Sequence, residues 1–462
     1  MLSKAGTVAS KQSTGVQLSL LGTPEAPRNG ARKASFEDPA FANNKKLPLH
    51  RWVPWIAGFS ADFVRGALQR HLRKKGVVLD PFTGVGTTLV EATLAGHSAF
   101  GFEINPYAAF ASRTKLDAFR INLNLLLTTI SLFRDFYRGK ISQMYCPQST
   151  PPPGFKTRGE FYSSMVLRKV LILQDFIASI EDNTIQDLFR LAFASTMVTY
   201  SNYSYEPSLG QRKSAGRENI EDYPVSETIV SKLYEMVEDI KLVQSQLAGE
   251  VPKWQVFNES FFDCQGKFPP GTVDLLLTSP PYLNNYHYNR NTRPHLYWLA
   301  YAKCPEDMKS LEEANFGKFW QTVRERDRVE LEFKLNRSTL QEQLQELRKL
   351  HPEKGVYGGN GWANYAAAYF NDCYRFAKCA KYVLKRGGTA LVVIGNSILQ
   401  GTMIPTDQYL GQIAESVGLR LVEIHVPRAT RVGNSIIHSE VRVKRAHKSH
   451  QLYEAVVELR KR

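Results

Sequence analysis

Residues 273 to 282 read Val-Asp-Leu-Leu-Leu-Thr-Ser-Pro-Pro-Tyr, an apolar run that meets a hydroxyl, two prolines and an aromatic ring. Val273 to Leu277 have the length and near-continuous apolarity of a strand buried on both faces. Ser279 is the first side chain free of that strand. Pro280 and Pro281 lack N–H groups and fix φ, so neither ladder nor helix continues, and the Pro280 carbonyl is expected to lack an intrachain donor. A hydroxyl, an open carbonyl and the Tyr282 ring side by side suit a planar base that carries an amino group.

A second strand end lies far upstream. Val77-Val78-Leu79 runs into Asp80-Pro81-Phe82-Thr83-Gly84-Val85-Gly86-Thr87-Thr88. Gly84 and Gly86 permit a tight turn and close approach of a ligand to the backbone, and Thr87 or Thr88 can cap the helix that begins there. A third apolar run, Ala99 to Phe102, ends in Glu103-Ile104-Asn105-Pro106. A carboxylate ~20 residues beyond a glycine loop is placed to accept hydrogen bonds from a ribose hydroxyl pair, which makes Glu103 the ribose ligand.

Taken together, these segments resemble the S-adenosylmethionine-dependent amino-methyltransferases that modify exocyclic nitrogens of DNA bases. Ser279-Pro280-Pro281-Tyr282 is similar to their catalytic turn, in the serine form typical of N4-methylcytosine enzymes. Asp80, Pro81, Phe82, Thr83, Gly84, Gly86, Thr87 and Thr88 look like their S-adenosylmethionine loop, with Glu103 and Asn105 at the end of the next strand. Residues 50 to 66 resemble the aromatic segment that closes over the methionine part of the cofactor, with Trp52, Trp55 and Phe59 as candidates. Trp254 to Ser260 resembles the third strand and its turn, where Glu259 stands for the acid that contacts the adenine amino group, although the family often has Gly-Asp where this chain has Asn258-Glu259.

The resemblance implies an α/β fold: a doubly wound, mostly parallel seven-stranded methyltransferase sheet with a reversed last strand and a helical insertion. Thr389 to Ile394 reads as a buried strand after a Gly387-Gly388 turn, and Leu419 to Val426 and Leu452 to Leu459 alternate as later strands. The core is expected in 46–117, 251–300 and 366–462, after a disordered tail over 1–45. Residues 118–250 form a helical insertion and 301–365 a charged helical one, and the DNA reader is expected in 118–250, in 283–365, or shared between them. Gly358 to Gly361 reads as a mobile loop.

The composition agrees with a polyanion partner. Lys plus Arg number 59 against 44 Asp plus Glu, a formal net charge of +15. Tyr286, Tyr288, Arg290 and Arg293 follow the catalytic turn directly, and Tyr203, Tyr205, Arg212, Lys213 and Arg217 lie in a polar stretch; both sets suit phosphate contacts and base stacking. Double-stranded DNA is the expected partner, with a cognate restriction endonuclease implied by the resemblance. Gln17 to Leu21 resembles the short peptide by which bacterial proteins bind the replication sliding clamp.

No apolar run approaches the ~20 residues of a membrane span, and no export signal opens the chain, so a cytoplasmic protein without a membrane partner is expected. The five cysteines form no Cys-x-x-Cys pair and none follows a proline, which speaks against a zinc site and against carbon-5 methylation of cytosine. The expected chemistry needs no metal and no covalent intermediate. Adenine N6 methylation is the nearest alternative, since those enzymes usually carry Asp or Asn in place of the serine. An RNA or protein methyltransferase and a non-catalytic nucleic-acid-binding module remain open from other classes.

Overall fold

The three strand-to-loop transitions sit side by side in one sheet. In the computed structural model, which describes residues 16–17, 36, 41–55, 58, 60–143, 145–205, 209–247, 249–283, 288–430 and 452–462, seven strands are central. They are β1 (Val77–Asp80), β2 (Ser98–Phe102), β3 (Trp254–Phe257), β4 (Val273–Thr278), β5 (Leu384–Gly395), β6 (Leu419–Thr430) and β7 (Leu452–Lys461). Their order across the sheet is β3-β2-β1-β4-β5-β7-β6, and Val16–Gln17 adds a two-residue antiparallel edge to β6. β3, β2, β1, β4 and β5 are parallel, while β7 runs antiparallel to both β5 and β6. This is the doubly wound, mostly parallel α/β sheet with a reversed last strand that the sequence led us to expect.

Alternation along the central strands divides the apolar core between the two faces. Val78, Leu275, Leu277, Leu391 and Val393 point into one core, whereas Leu79, Leu276, Val392 and Ile394 point into the other. Burial on both sides explains why these strands read as continuous apolar runs. The strand order reverses between β1 and β4, so the crevice at their carboxyl ends is the topological switch point where such sheets bind ligands.

The helices are α1 (Ala61–His71), α2 (Thr87–Leu94), α3 (Pro106–Asp117), α4 (Leu123–Ser142), α5 (Ser164–Ser179), α6 (Asn183–Thr196), α7 (Val225–Gln246), α8 (Tyr288–Trp298), α9 (Pro305–Ala314), α10 (Trp320–Val323), α11 (Leu340–Arg348), α12 (Gly359–Val383) and α13 (Thr406–Ser416). Side chains of Asn105, Asn122, Ser163 and Asp182 cap α3, α4, α5 and α6 by accepting from the first free N–H groups. Helices α4 to α7 share a continuous core with α1 to α3, so the inserted helices are packed onto the catalytic sheet. Helices α12 and α13 cover the opposite face.

Three details differ from the sequence reading. Gly387-Gly388 is a bulge inside β5, which pairs Val273 with Leu384 and Leu275 with Thr389 and so loops out the residues between. The Gly358–Gly361 segment is no mobile loop: it starts α12 under close packing, where a Cβ at Gly359 would lie 1.7 Å from the Leu347 carbonyl oxygen and one at Gly361 would lie 2.1 Å from that of Val356. Within the N-terminal 45 residues, Phe36 is buried against Phe63 and His425, and Phe41–Lys46 begins a 3-10 turn. Of the Gln17 to Leu21 peptide, only Gln17 is described, and the rest lies outside the described residues. Among the described residues, no single helix is long and apolar enough to cross a membrane.

Candidate active site

At the carboxyl ends of β1, β2, β3 and β4 lies a cleft open to solvent. Pro81, Phe82 and Gly84 from the glycine loop, Glu103 to Asn105 after β2, Glu259 to Phe262 after β3, and Ser279 and Pro281 after β4 all line it. The glycine loop and the Ser-Pro-Pro turn, 191 residues or more apart in sequence when counted from Thr88 to Ser279, thus face one space.

Asp80 joins the two turns from below. It is buried and accepts hydrogen bonds from Phe82 N (3.0 Å), Thr88 Oγ1 (2.6 Å) and Thr278 Oγ1 (2.6 Å). Burial pushes its carboxyl up to about 6 against the opposing pull of those three donors. The sequence reading took Asp80 as a cofactor contact. Its position corrects this: its carboxylate is a brace that ties the last residue of β4 to the loop and to the start of α2. Thr87 and Thr88 are likewise buried at that helix start, and Thr83 is buried with its backbone N–H on the Phe102 carbonyl (3.0 Å).

Two glycines of the loop need their freedom. Gly84 has φ +50° and Gly86 φ +87°, and a Cβ on Gly86 would lie 2.5 Å from Ser112 Oγ. Beneath them Lys115 is fully buried, with Nζ donating to the Val85 carbonyl (3.0 Å), and burial lowers its ammonium to about 7.

Glu103 ends β2 and is recessed in the cleft, though solvent still reaches it. Its Oε2 accepts from Gly84 N (2.9 Å) and its Oε1 from Asn105 N (2.8 Å). Enclosure raises its carboxyl well above the ordinary range, to about 7, with the two backbone N–H groups acting in the opposite direction. Asn258 Nδ2 donates to the carbonyls of Glu103 (2.8 Å) and Ile104 (3.2 Å), which fastens the third strand's turn to the second's. Asn105 caps α3 and donates from Nδ2 to Thr292 Oγ1 on α8 (2.9 Å). Glu259 stands at the rim, 42% exposed at its side chain and paired with Lys267 at 2.9 Å.

On the catalytic side, Ser279 is half-buried in the cleft wall. Among the described residues none donates to the Pro280 carbonyl, whereas the Pro281 carbonyl accepts from Tyr369 Oη on α12 (3.1 Å). Tyr282 lies past the turn, its ring against Gly395 and its hydroxyl donating to Glu454 Oε1 (3.1 Å).

The aromatic segment divides differently from expectation. Trp52 is fully buried and donates from Nε1 to Asp239 Oδ2 on α7 (2.9 Å), away from the cleft, so it is not a cofactor contact. Trp55 lines the cleft instead, with its indole nitrogen 3.2 Å from where a Cβ on Gly84 would be. Phe59 lies outside the described residues. Ala314, Asn315 and Phe316 complete the wall from the 301–365 segment. Sequence reasoning missed them, because a charged helix followed by Asn-Phe-Gly carries no strand-end signal.

The proposed DNA contacts fall into two groups brought together on α8. A ribbon of Tyr203–Tyr205 with Leu209–Gln211 docks there: Tyr205 Oη donates to the Asn291 carbonyl (3.1 Å) and Leu209 N to Asn291 Oδ1 (3.1 Å). Lys213, Arg217 and Arg290 are exposed. Arg212 is half-buried and donates to the Glu218 carbonyl (2.9 Å), and Arg293 rests over the rings of Phe155 and Tyr297. Tyr203 is buried on Phe161, with its hydroxyl accepting from Gly159 N (3.3 Å), and so is a packing residue and no groove contact. Tyr286 lies outside the described residues, and of Tyr288 only the backbone is described.

The cleft brings the Ser-Pro-Pro turn, the glycine loop and Glu103 to one space. A family model for DNA methylases that act on N6 or N4 matches residues 23–112, which contain the loop and Glu103. The Type II methyltransferase M.BsoBI of Geobacillus stearothermophilus is 24% identical over 439 residues, spanning 86% of this chain and 83% of that protein. The chain is thus similar to the N6/N4 DNA methylases in its glycine-loop region and to Type II methyltransferases over most of its length. The Type II methyltransferase M.AvaI of Nostoc sp. is 26% identical over 436 residues, covering 86% of the methylase and 84% of its own length. The rRNA methyltransferase AviRa of Streptomyces viridochromogenes aligns with a TM-score of 0.28 at 8% identity over 91% of the methylase and 92% of its own chain, too distant to carry weight.

S-adenosylmethionine is the cofactor of this methylase. The residues present fit it: Gly84, at positive φ, and the Glu103 carboxyl both line the cleft, beside the rings of Trp55 and Phe82.

Proposed function

We propose that this DNA methyltransferase methylates the exocyclic N4 amine of cytosine in double-stranded DNA. The observation that carries the reading is Ser279, the first residue beyond a strand buried on both faces, placed in the same cleft as the glycine loop. An exocyclic amine conjugated to its ring is a poor nucleophile, because the lone pair is delocalised. The Ser279 hydroxyl and the Pro280 carbonyl are the acceptors for its two hydrogens, and their grip lets the nitrogen move toward tetrahedral geometry with its lone pair exposed. When bound, S-adenosylmethionine supplies a methyl group activated by the adjacent sulfonium. The protein's part is then placement and electrostatic support.

Glu103, oriented by Gly84 N and Asn105 N, accepts the ribose hydroxyls, and Trp55 with Phe82 encloses the ligand. The target base has to leave the duplex to reach Ser279, and Tyr282 provides the ring on which it stacks. Lys213, Arg217 and Arg290 contact phosphates on the face where the ribbon meets α8. Two relatives are named Type II methyltransferases, which supports a place beside a cognate restriction endonuclease.

The experiment is sequencing of modified bases in DNA from cells that express the chain, with Ser279→Ala as control. N4-methylcytosine at a fixed site, absent in the variant, is the expected result. Modified adenine at that site overturns the choice of base, and labelled methyl in RNA or protein in place of DNA overturns the substrate.

A further inference from the structure

We propose that Asn315, from the segment inserted between α8 and α12, reads the edge of the adenine ring of S-adenosylmethionine, in place of the acid at 259. The inference rests on the reading that the cleft holds this cofactor. Asn315 is 5% exposed, lines the cleft, and its Nδ2 has no hydrogen-bond partner among the described residues. A buried amide donor left unpaired costs free energy that a ligand acceptor in the cleft would recover.

The segment that carries it is held rigidly. Phe316 is buried, with its ring 5.1 Å from that of Phe82 in the glycine loop and 6.2 Å from that of Phe262 after β3. Gly317, at φ +75°, donates its N–H to Asp372 Oδ2 (2.9 Å), and a Cβ there would lie 2.5 Å from the Tyr369 ring. Tyr369 in turn bonds to the catalytic turn through the Pro281 carbonyl. Asn315 therefore enters the cleft from a fixed backbone, beside three phenylalanines that suit the faces of a planar ring. Glu259, by contrast, stands at the rim in an ion pair with Lys267.

A carboxamide is the side chain that pairs with adenine through two hydrogen bonds at once, donating to a ring nitrogen and accepting from the 6-amino group. The Asn315 amide does both here, and purines without the amino group lose one of the two bonds.

The test is calorimetric binding of S-adenosylhomocysteine, and of its analogue with hydrogen in place of the 6-amino group, to the full chain and its variants. Asn315→Ala is expected to weaken S-adenosylhomocysteine about five- to thirtyfold and to abolish the wild-type preference over the analogue. Asn315→Asp, which keeps an acceptor and loses the donor, is expected to bind weakly but retain the preference. Thermal melts alongside report folding. If Asn315→Ala binds both ligands as the wild type does, or if the preference disappears with Glu259→Gln instead, the assignment is wrong. Loss of binding in Glu103→Gln together with unchanged binding in Asn315→Ala overturns only the role of Asn315. Failure of the folded wild type to bind S-adenosylhomocysteine overturns the cofactor reading of the cleft as well.

Discussion

The cofactor cleft and the ribbon on α8 are built by opposite means. On the sheet side of the cleft, three carboxyl and hydroxyl groups stand at the ends of short buried strands, and their positions follow from the strand register. Asp80, Glu103 and Ser279 end β1, β2 and β4 or follow them at once, and the parallel ladder sets them side by side. On the ribbon face, Tyr205 meets Asn291 of α8 only because an inserted set of helices packs onto α3 and onto Trp298 of α8. A strand end leaves a side chain few places to go, whereas a helical insertion leaves its placement to packing. The sheet side of the cleft is thus a local construction and the ribbon face a tertiary one.

The largest expected effect tests whether the two regions are mechanically joined. Asp239 on α7 is buried and accepts from Leu49 N (2.9 Å), Trp52 Nε1 (2.9 Å) and the Arg51 guanidinium, which ties the insertion to the segment that leads to Trp55. Asp239→Ala is expected to destabilise the fold by about 3–5 kcal/mol in denaturant titration, because Arg51 and two N–H donors lose their buried acceptor. A loss within experimental error of zero would show that insertion and cleft are independent.

Next comes Ser279→Ala, which keeps the cleft and removes one acceptor for the amine. Methyl transfer is expected to fall by about 10²–10³ while S-adenosylhomocysteine binds within about twofold of wild type. Equal loss of both would place the serine among the cofactor's supports and away from the chemistry.

A smaller effect separates the cleft by its titration. In the free protein the Glu103 carboxyl is raised to about 7. Raised above its unfolded value, it favours the folded state below the ordinary carboxylate range, and that contribution is lost as pH rises through about 7. Cofactor binding has the opposite sign, because ribose hydroxyls need the ionised acceptor. Affinity for S-adenosylhomocysteine is expected to fall about tenfold from pH 8 to pH 6, the full proton competition at a site of pKa about 7. Glu103→Gln should bind more weakly with a flat profile, and a wild-type profile that is already flat removes the carboxylate from the site.

The smallest effects belong to the ribbon face. Lys213→Ala or Arg290→Ala should each reduce the salt slope of DNA binding by about 0.9 per phosphate contact and leave sequence preference unchanged. If neither changes the slope, the DNA follows another surface.

Much of this architecture was legible in the chain because strand ends are chemically abrupt. The glycine loop, the acid after β2 and the Ser-Pro-Pro turn each announce a place where the backbone leaves the sheet. Aromatic residues were not so transparent. Trp52 and Trp55 lie three residues apart with the same side chain, yet one is a buried donor to Asp239 and the other lines the cleft. Tyr203 and Tyr205 divide in a similar way, one packed on Phe161 and the other bonded to Asn291. Asp80 drew attention as a ligand and proves to be a brace, since a carboxylate serves either use and only its three donors decide.

By itself, then, the sequence settled the parallel sheet and the places where its two turns leave it, because apolar runs, glycines and prolines limit the backbone through local sterics. The tertiary structure alone decided that Asn315 and Phe316 close the cleft, that Trp55 and not Trp52 faces it, and that the ribbon meets α8. Those outcomes depend on which surfaces pack together, and packing between segments hundreds of residues apart leaves no periodic trace in either one.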